Sequence, residues 1–139
     1  MKIKIIFFCI ALTAKALAIS TQLSDVQITE LLKGTWFSDP TSAEPMESIV
    51  VYGGSGTGTQ TIWPRGRPKD TAVTVVVEWS VQKGILSLRS IESSDPVRIP
   101  VGVELRDRIL RISSERFEFE AVDGYGKSNG AHGIRVRKR

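Results

Sequence analysis

The chain is poor in the groups that most protein chemistry needs. One cysteine (Cys9) and one histidine (His132) occur in 139 residues. So few thiols and imidazoles exclude a disulfide framework and leave no converging set of soft ligands for zinc or copper. His132 sits between Ala131 and Gly133 with no nucleophile-elbow sequence near it, so a Ser-His-carboxylate triad has no support. Glu118 and Glu120 fall on one face of a strand where arginines oppose them, which is not the setting of a glycosidase pair. The glycines from Gly53 to Gly58 run into a strand rather than the helix N-terminus a phosphate loop requires. Gly126-Lys127-Ser128 resembles the end of such a loop, but Ala121 stands where its first glycine belongs. These absences predict no enzyme, no metal and no cofactor.

A long apolar run is also lacking. Ile5 to Ala14 is apolar apart from Thr13, but Lys15 stops it well short of the roughly 20 residues a membrane span needs. The basic start Met1-Lys2-Ile3-Lys4, that apolar stretch and Ala16-Leu17-Ala18 instead read as a secretory signal cleaved after Ala18. Cys9 lies inside it, without the small-residue surroundings of a lipid attachment site. The expectation is a leader over 1–18 and one domain over 19–139, periplasmic or secreted, with no transmembrane span after cleavage. Without Lys2, Lys4 and Lys15, the 19 basic residues fall to 16 against 15 acidic ones. The high overall pI is therefore no argument for nucleic-acid binding. A mature chain of this length buries roughly two-thirds of its unfolded surface, enough to fold on its core alone.

What is present is alternation. In Thr71 to Ile91, Val73, Val75, Val77, Trp79 and Val81 occupy every second position, which places them on one face of a strand. A two-residue turn at Lys83-Gly84 then sets Val81 opposite Leu86, Trp79 opposite Leu88, and Glu78 opposite Arg89 on the other face. Upstream, Ser24-Asp25-Val26-Gln27 is a capping box, followed by the stripe Ile28, Leu31, Leu32 and a helix stop at Gly34. The helix is too short to stand alone, and the strand Thr35-Trp36-Phe37 follows at once. Met46 to Tyr52 and Thr57 to Trp63 flank a glycine-rich turn. Ile99, Val101, Val103 and Leu105 alternate, and Arg106-Asp107 reads as a turn that sets Val103 against Leu110 and Val101 against Ile112. Ile112 then faces Phe117, Leu110 faces Phe119 and Arg111 faces Glu118. Ile134 and Val136 alternate with the arginines that follow, giving a closing strand in preference to a polyanion-binding tail.

A meander with one apolar face must enclose it. No second layer is available, so the fold class expected is all-β: an up-and-down antiparallel barrel of eight to nine strands, with the short N-terminal helix plugging one end. Long and short connections alternate, so tight turns gather at one end and longer loops rim the other.

The capped helix, the Gly34-Thr35-Trp36 box and the meander together resemble the lipocalin-like (calycin-type) barrels, in particular small exported bacterial lipocalin-like domains. Gly54-Ser55-Gly56-Thr57-Gly58-Thr59 and the Trp79-Ser80-Val81 to Leu86-Ser87-Leu88 hairpin are similar to segments of those domains. The resemblance implies that Trp36 packs at the closed end beneath an arginine from near the chain's end, Arg135 or Arg137, with Arg137 preferred. It also implies a small hydrophobic ligand.

The inward row expected from the alternation is Val75, Val77, Trp79, Leu88, Val101, Val103, Leu110, Ile112, Phe117 and Phe119. Such a lining suits a small apolar or amphipathic molecule held by a monomeric barrel. The alternative is a filled core in a module that binds or inhibits an envelope protein through its long loops, with Arg65, Arg67 and Lys69 forming a stiff basic rim.

Overall fold

The computed structural model describes residues 22–137. The expected leader, and with it the boundary after Ala18, lies outside the described residues. Helix α1 (Asp25–Leu32) starts with the capping box read from the sequence: Gln27 N donates to Ser24 Oγ at 3.2 Å, and Ser24 N donates to Gln27 Oε1 at 2.9 Å. These bonds satisfy two of the N–H groups every helix start leaves open. Ile28 and Leu32 are buried, and the Asp25 carboxylate accepts from the backbone N–H groups of Lys83 and Gly84 at 2.7 and 2.9 Å. The helix is thus fastened to a hairpin turn far away in sequence.

Eight strands follow: β1 (Gly34–Ser38), β2 (Met46–Tyr52), β3 (Thr57–Pro64), β4 (Val73–Gln82), β5 (Ile85–Ser93), β6 (Glu104–Ile112), β7 (Arg116–Val122) and β8 (Ser128–Val136). They pair in sequence order, all antiparallel, and β8 returns to β1 through Phe37–Val136 and Ser38–Arg135, closing the barrel. Closure removes every sheet edge, so the apolar row faces an interior rather than a second layer.

The β4–β5 hairpin has the expected register, with Glu78 opposite Arg89, Trp79 opposite Leu88 and Val81 opposite Leu86. Lys83 and Gly84 both have positive φ (52° and 72°), the tight mirror-image turn that matches strand twist.

One hairpin expected from the sequence does not form. Arg106-Asp107 lies in the middle of β6, a single strand paired with β5 on one side and β7 on the other. Residues 94–103 are instead a connecting loop. The barrel therefore has eight strands. The inward residues of β6 are Leu105, Asp107 and Ile109, and the bulge between Ile109 and Arg111 puts Ile109, not Leu110, opposite Phe119. Beyond the bulge the expected pairs Arg111–Glu118 and Ile112–Phe117 are found.

Connections 53–56, 83–84 and 113–115 gather at the end plugged by α1, and the longer 39–45, 65–72, 94–103 and 123–127 lie at the other. The core is continuous from Leu32, Trp36 and Phe117, fully buried at the plugged end, through Trp79, Leu86 and Val50 to Val73, Val75 and Val77. Each such side chain contributes about 1.5–3 kcal/mol by burial. Outer-face ion pairs such as Arg108–Glu120 (2.8 Å) and Arg116–Glu118 (3.0 Å) are partly exposed and contribute little.

Candidate functional site

Gly34, Trp36 and Arg137 come together at the plugged end. The Arg137 guanidinium lies 3.8 Å from the centroid of the Trp36 ring and donates to the carbonyls of Ser114 (3.1 Å) and Leu31. Trp36 itself donates to Leu32 O at 2.7 Å and meets Phe117 edge-on at 4.8 Å. Gly34 has φ of 107°, and a Cβ there would stand 2.7 Å from Arg137 Nη1, so a side chain would displace the arginine. The interior at this end is a packed plug, with Leu32, Trp36 and Phe117 fully buried. Arg135, the other arginine weighed, points to the interior near Phe119 and pairs through both nitrogens with Glu44, one contact being 3.0 Å.

The opposite end is different. A partly enclosed apolar cavity of about 230 Å³ lies against β3, β4, β5 and the start of β6, beneath the 94–103 loop. Val75, Val77 and Leu88 from the expected inward row line it. Ile62, Ile99, Pro100, Val103 and Leu105 complete the wall, with Gln60, Ser90 and Arg98 as its polar members. Ser90 is spent on the loop, donating to Pro100 O (2.7 Å) and accepting from Val103 N (3.1 Å), which ties the loop over the barrel. Arg98 is held by Asp95 (2.7 Å) and by Thr71 O (2.9 Å), joining the loop to the 65–72 connection.

The remaining inward residues divide. Trp79 is buried, meets Tyr52 at 5.1 Å and donates to Gly53 O and Thr57 O, packing toward the plugged end rather than the cavity. Phe117 and Phe119 are buried on the plugged-end side of the cavity. Three expectations on the misread hairpin are corrected. Val101 and Leu110 are 57% and 43% exposed and line no interior space. Val103 reaches the cavity from the loop instead of from a strand, and Ile112 packs against the core below the bulge. The Val101 and Val103 misplacements follow from placing a turn inside what is one strand, β6, and the Leu110 misplacement from the bulge before Arg111.

The basic rim is also less free than its sequence implies. Arg65 donates to Glu44 O at 2.8 Å and lies 3.8 Å from Glu47, bracing the 39–45 connection. Lys69 stands over Trp63 at 5.7 Å, and Arg67 is exposed. His132 is exposed, 4.0 Å from Glu118. A shallow open depression of about 480 Å³ lies between the 53–56 turn and Glu78, Ser80, Ser87, Arg89 and Glu104, with Trp79 also in its wall. Among the described residues, no helix is long and apolar enough to cross a membrane.

Sequence reading missed three side chains that share the interior. Tyr52, Gln60 and Asp107 border a small space of about 20 Å³ beside the cavity, with Leu88, Leu105 and Gln60 walling both. Burial raises the Asp107 pKa to about 6, with Glu44 acting in the same direction and Arg135 opposing. Burial likewise pushes the Tyr52 hydroxyl up. The available signal was parity: Gln60 shares the face of Ile62, and Asp107 the face of Leu105 and Ile109.

The fold and the cavity define a small closed antiparallel β-barrel with one end plugged and an apolar interior space at the other. No protein-family model and no curated protein sequence matches the chain. Among solved structures it is similar to Tp0751 (Pallilysin) of Treponema pallidum, at 11% identity and a TM-score of 0.44, over 93% of this chain and 99% of that one.

Proposed function

We propose that the protein is an exported, lipocalin-like carrier that binds a small apolar or amphipathic molecule in the cavity under the 94–103 loop. The observation that carries this reading is the cavity itself: about 230 Å³ of mostly aliphatic wall inside a barrel whose other end is closed by packing. An engineered apolar cavity of about 150 Å³ suffices to bind benzene, so this one suits a single ring or a short branched chain. The stacked Trp36 and Arg137 at the plugged end support the lipocalin-like part of the reading. Export rests on the basic-apolar-small pattern of Met1 to Ala18. The bond from Arg65 to the Glu44 carbonyl weighs against the alternative of a partner-binding basic loop.

Thermal unfolding with saturating toluene tests the binding claim. Ligand at 100 times its Kd adds about 2.7 kcal/mol, a rise of several degrees in melting temperature. Ile99→Trp, which fills the cavity from the loop, removes that rise while leaving the circular dichroism spectrum intact. No rise in the unmodified protein rejects the reading.

A further inference from the structure

The interior contains polar groups that packing does not explain. Tyr52 and Gln60 are 4% and 9% exposed, and Asp107 lies beside them. Among the described residues, none of the three side chains makes a hydrogen bond. Tyr52 and Gln60 are buried and Asp107 is half-buried, and three unpartnered polar side chains bordering one space imply an occupant for them. They arrive from three different strands, β2, β3 and β6, and converge on one space. That space, about 20 Å³, has room for a single water-sized group, while the apolar cavity sharing its walls has room for a ring.

Charge narrows the occupant further. The charged groups facing Asp107 are Arg135 from β8 and Glu44 from the 39–45 connection, with the titratable Tyr52 from β2. The neighbours from β3, β5 and β7 are Gln60, Leu88, Phe117 and Phe119, none of which titrates. Arg135, which also borders the space, is engaged by Glu44 through both nitrogens, so Arg135, Glu44 and an ionised Asp107 together carry one net negative charge. A buried charge of that kind takes up either a proton or a cation. An anion would meet the carboxylate, and a neutral group would leave it unbalanced.

We propose that the cavity takes a small primary amine, whose ammonium sits among Asp107, Tyr52 and Gln60 and whose single-ring or short aliphatic body fills the space beneath the 94–103 loop. The assignment rests on the carrier reading above and adds the polar head. The ammonium supplies three donors; Asp107, the Tyr52 oxygen and the Gln60 carbonyl are the acceptors. Val75, Val77 and Leu88 are left to hold the body.

Calorimetric titration with 2-phenylethylamine and with 2-phenylethanol, at pH 7.5 and pH 5, tests this on the intact protein. The amine and the alcohol share a body, and the amine stays protonated at both pH values. The amine is expected to bind at least about tenfold more tightly than the alcohol at pH 7.5, the size of a charge-assisted contact. At pH 5 a proton occupies Asp107, and amine affinity falls about tenfold. Asp107→Asn abolishes the preference for amine over alcohol. Should that variant fail to fold, the pH dependence in the unmodified protein decides, and Gln60→Leu is expected to weaken the amine more than the alcohol. Equal affinity for the two compounds at pH 7.5, or a preference that survives in Asp107→Asn, overturns the amine assignment and leaves the carrier standing. Binding of neither compound overturns both.

Discussion

The two ends of the barrel are built from similar material and do opposite things. At the plugged end, Trp36, Leu32 and Phe117 are buried to 1% exposure or less, and the polar group among them, the Trp36 indole N–H, has a carbonyl partner. Toward the other end, aliphatic side chains line a space of about 230 Å³, and three polar side chains at its inner side, Tyr52, Gln60 and Asp107, have no hydrogen bond. The difference teaches where stability and recognition are separated. A helix and an arginine fill one end, where the Trp36 indole and the Arg137 guanidinium both reach backbone carbonyls. Beneath the longer loops the barrel keeps an unfilled apolar space with unpartnered polar groups at its inner side, which is how a binding site differs from a core.

The contrast predicts a descending series of effects. Trp36→Ala is expected to cost about 3–5 kcal/mol in chemical denaturation, since it empties the plug; a loss under about 1 kcal/mol would show that the plug does not anchor the fold. Asp107→Asn is expected to act in the opposite direction. The folded pKa of about 6 exceeds the ordinary 3.8, so the native state holds the proton more tightly. Stability is therefore fully present below about pH 4, falls between about pH 4 and pH 6, and stays lower above. The variant should lack that fall and exceed the parent by on the order of 2 kcal/mol at pH 7.5. An identical pH profile would place Asp107 in water. Arg137→Ala, which removes a cation over Trp36 and two bonds to carbonyls, is expected to cost about 1–2 kcal/mol; the same change at exposed Arg67 should be silent. Leu110→Ser should stay within about 0.5 kcal/mol, because the residue faces out. A loss above about 2 kcal/mol would restore it to the interior.

How much of this was legible follows from redundancy. The β4–β5 hairpin was readable because two apolar rows, one charge pair and a Lys83-Gly84 turn all demand the same register. The capping box at Ser24 and Gln27 is local chemistry, and it too reads directly. Strand β6 was not readable, because its inward row is Leu105, Asp107, Ile109: a buried carboxylate interrupts the apolar alternation and, beside Arg106, imitates a turn. The true turn signal was Gly102, whose φ is 89°. The bulge before Arg111 then reversed the parity of Leu110, and no single-residue pattern announces a bulge. The residue that spoiled the strand reading is the one assigned to the ligand, so the local rule failed where the fold departs from pure packing.

The central claim is that one end of this barrel is solid and the other receives a small molecule. Backbone amide NMR shifts recorded during a toluene titration test it most directly. The account predicts saturable shifts concentrated at Val75, Val77, Leu88 and Ile99, with Trp36 and Phe117 unmoved. Shifts centred on Trp36, or none at any residue, would contradict it.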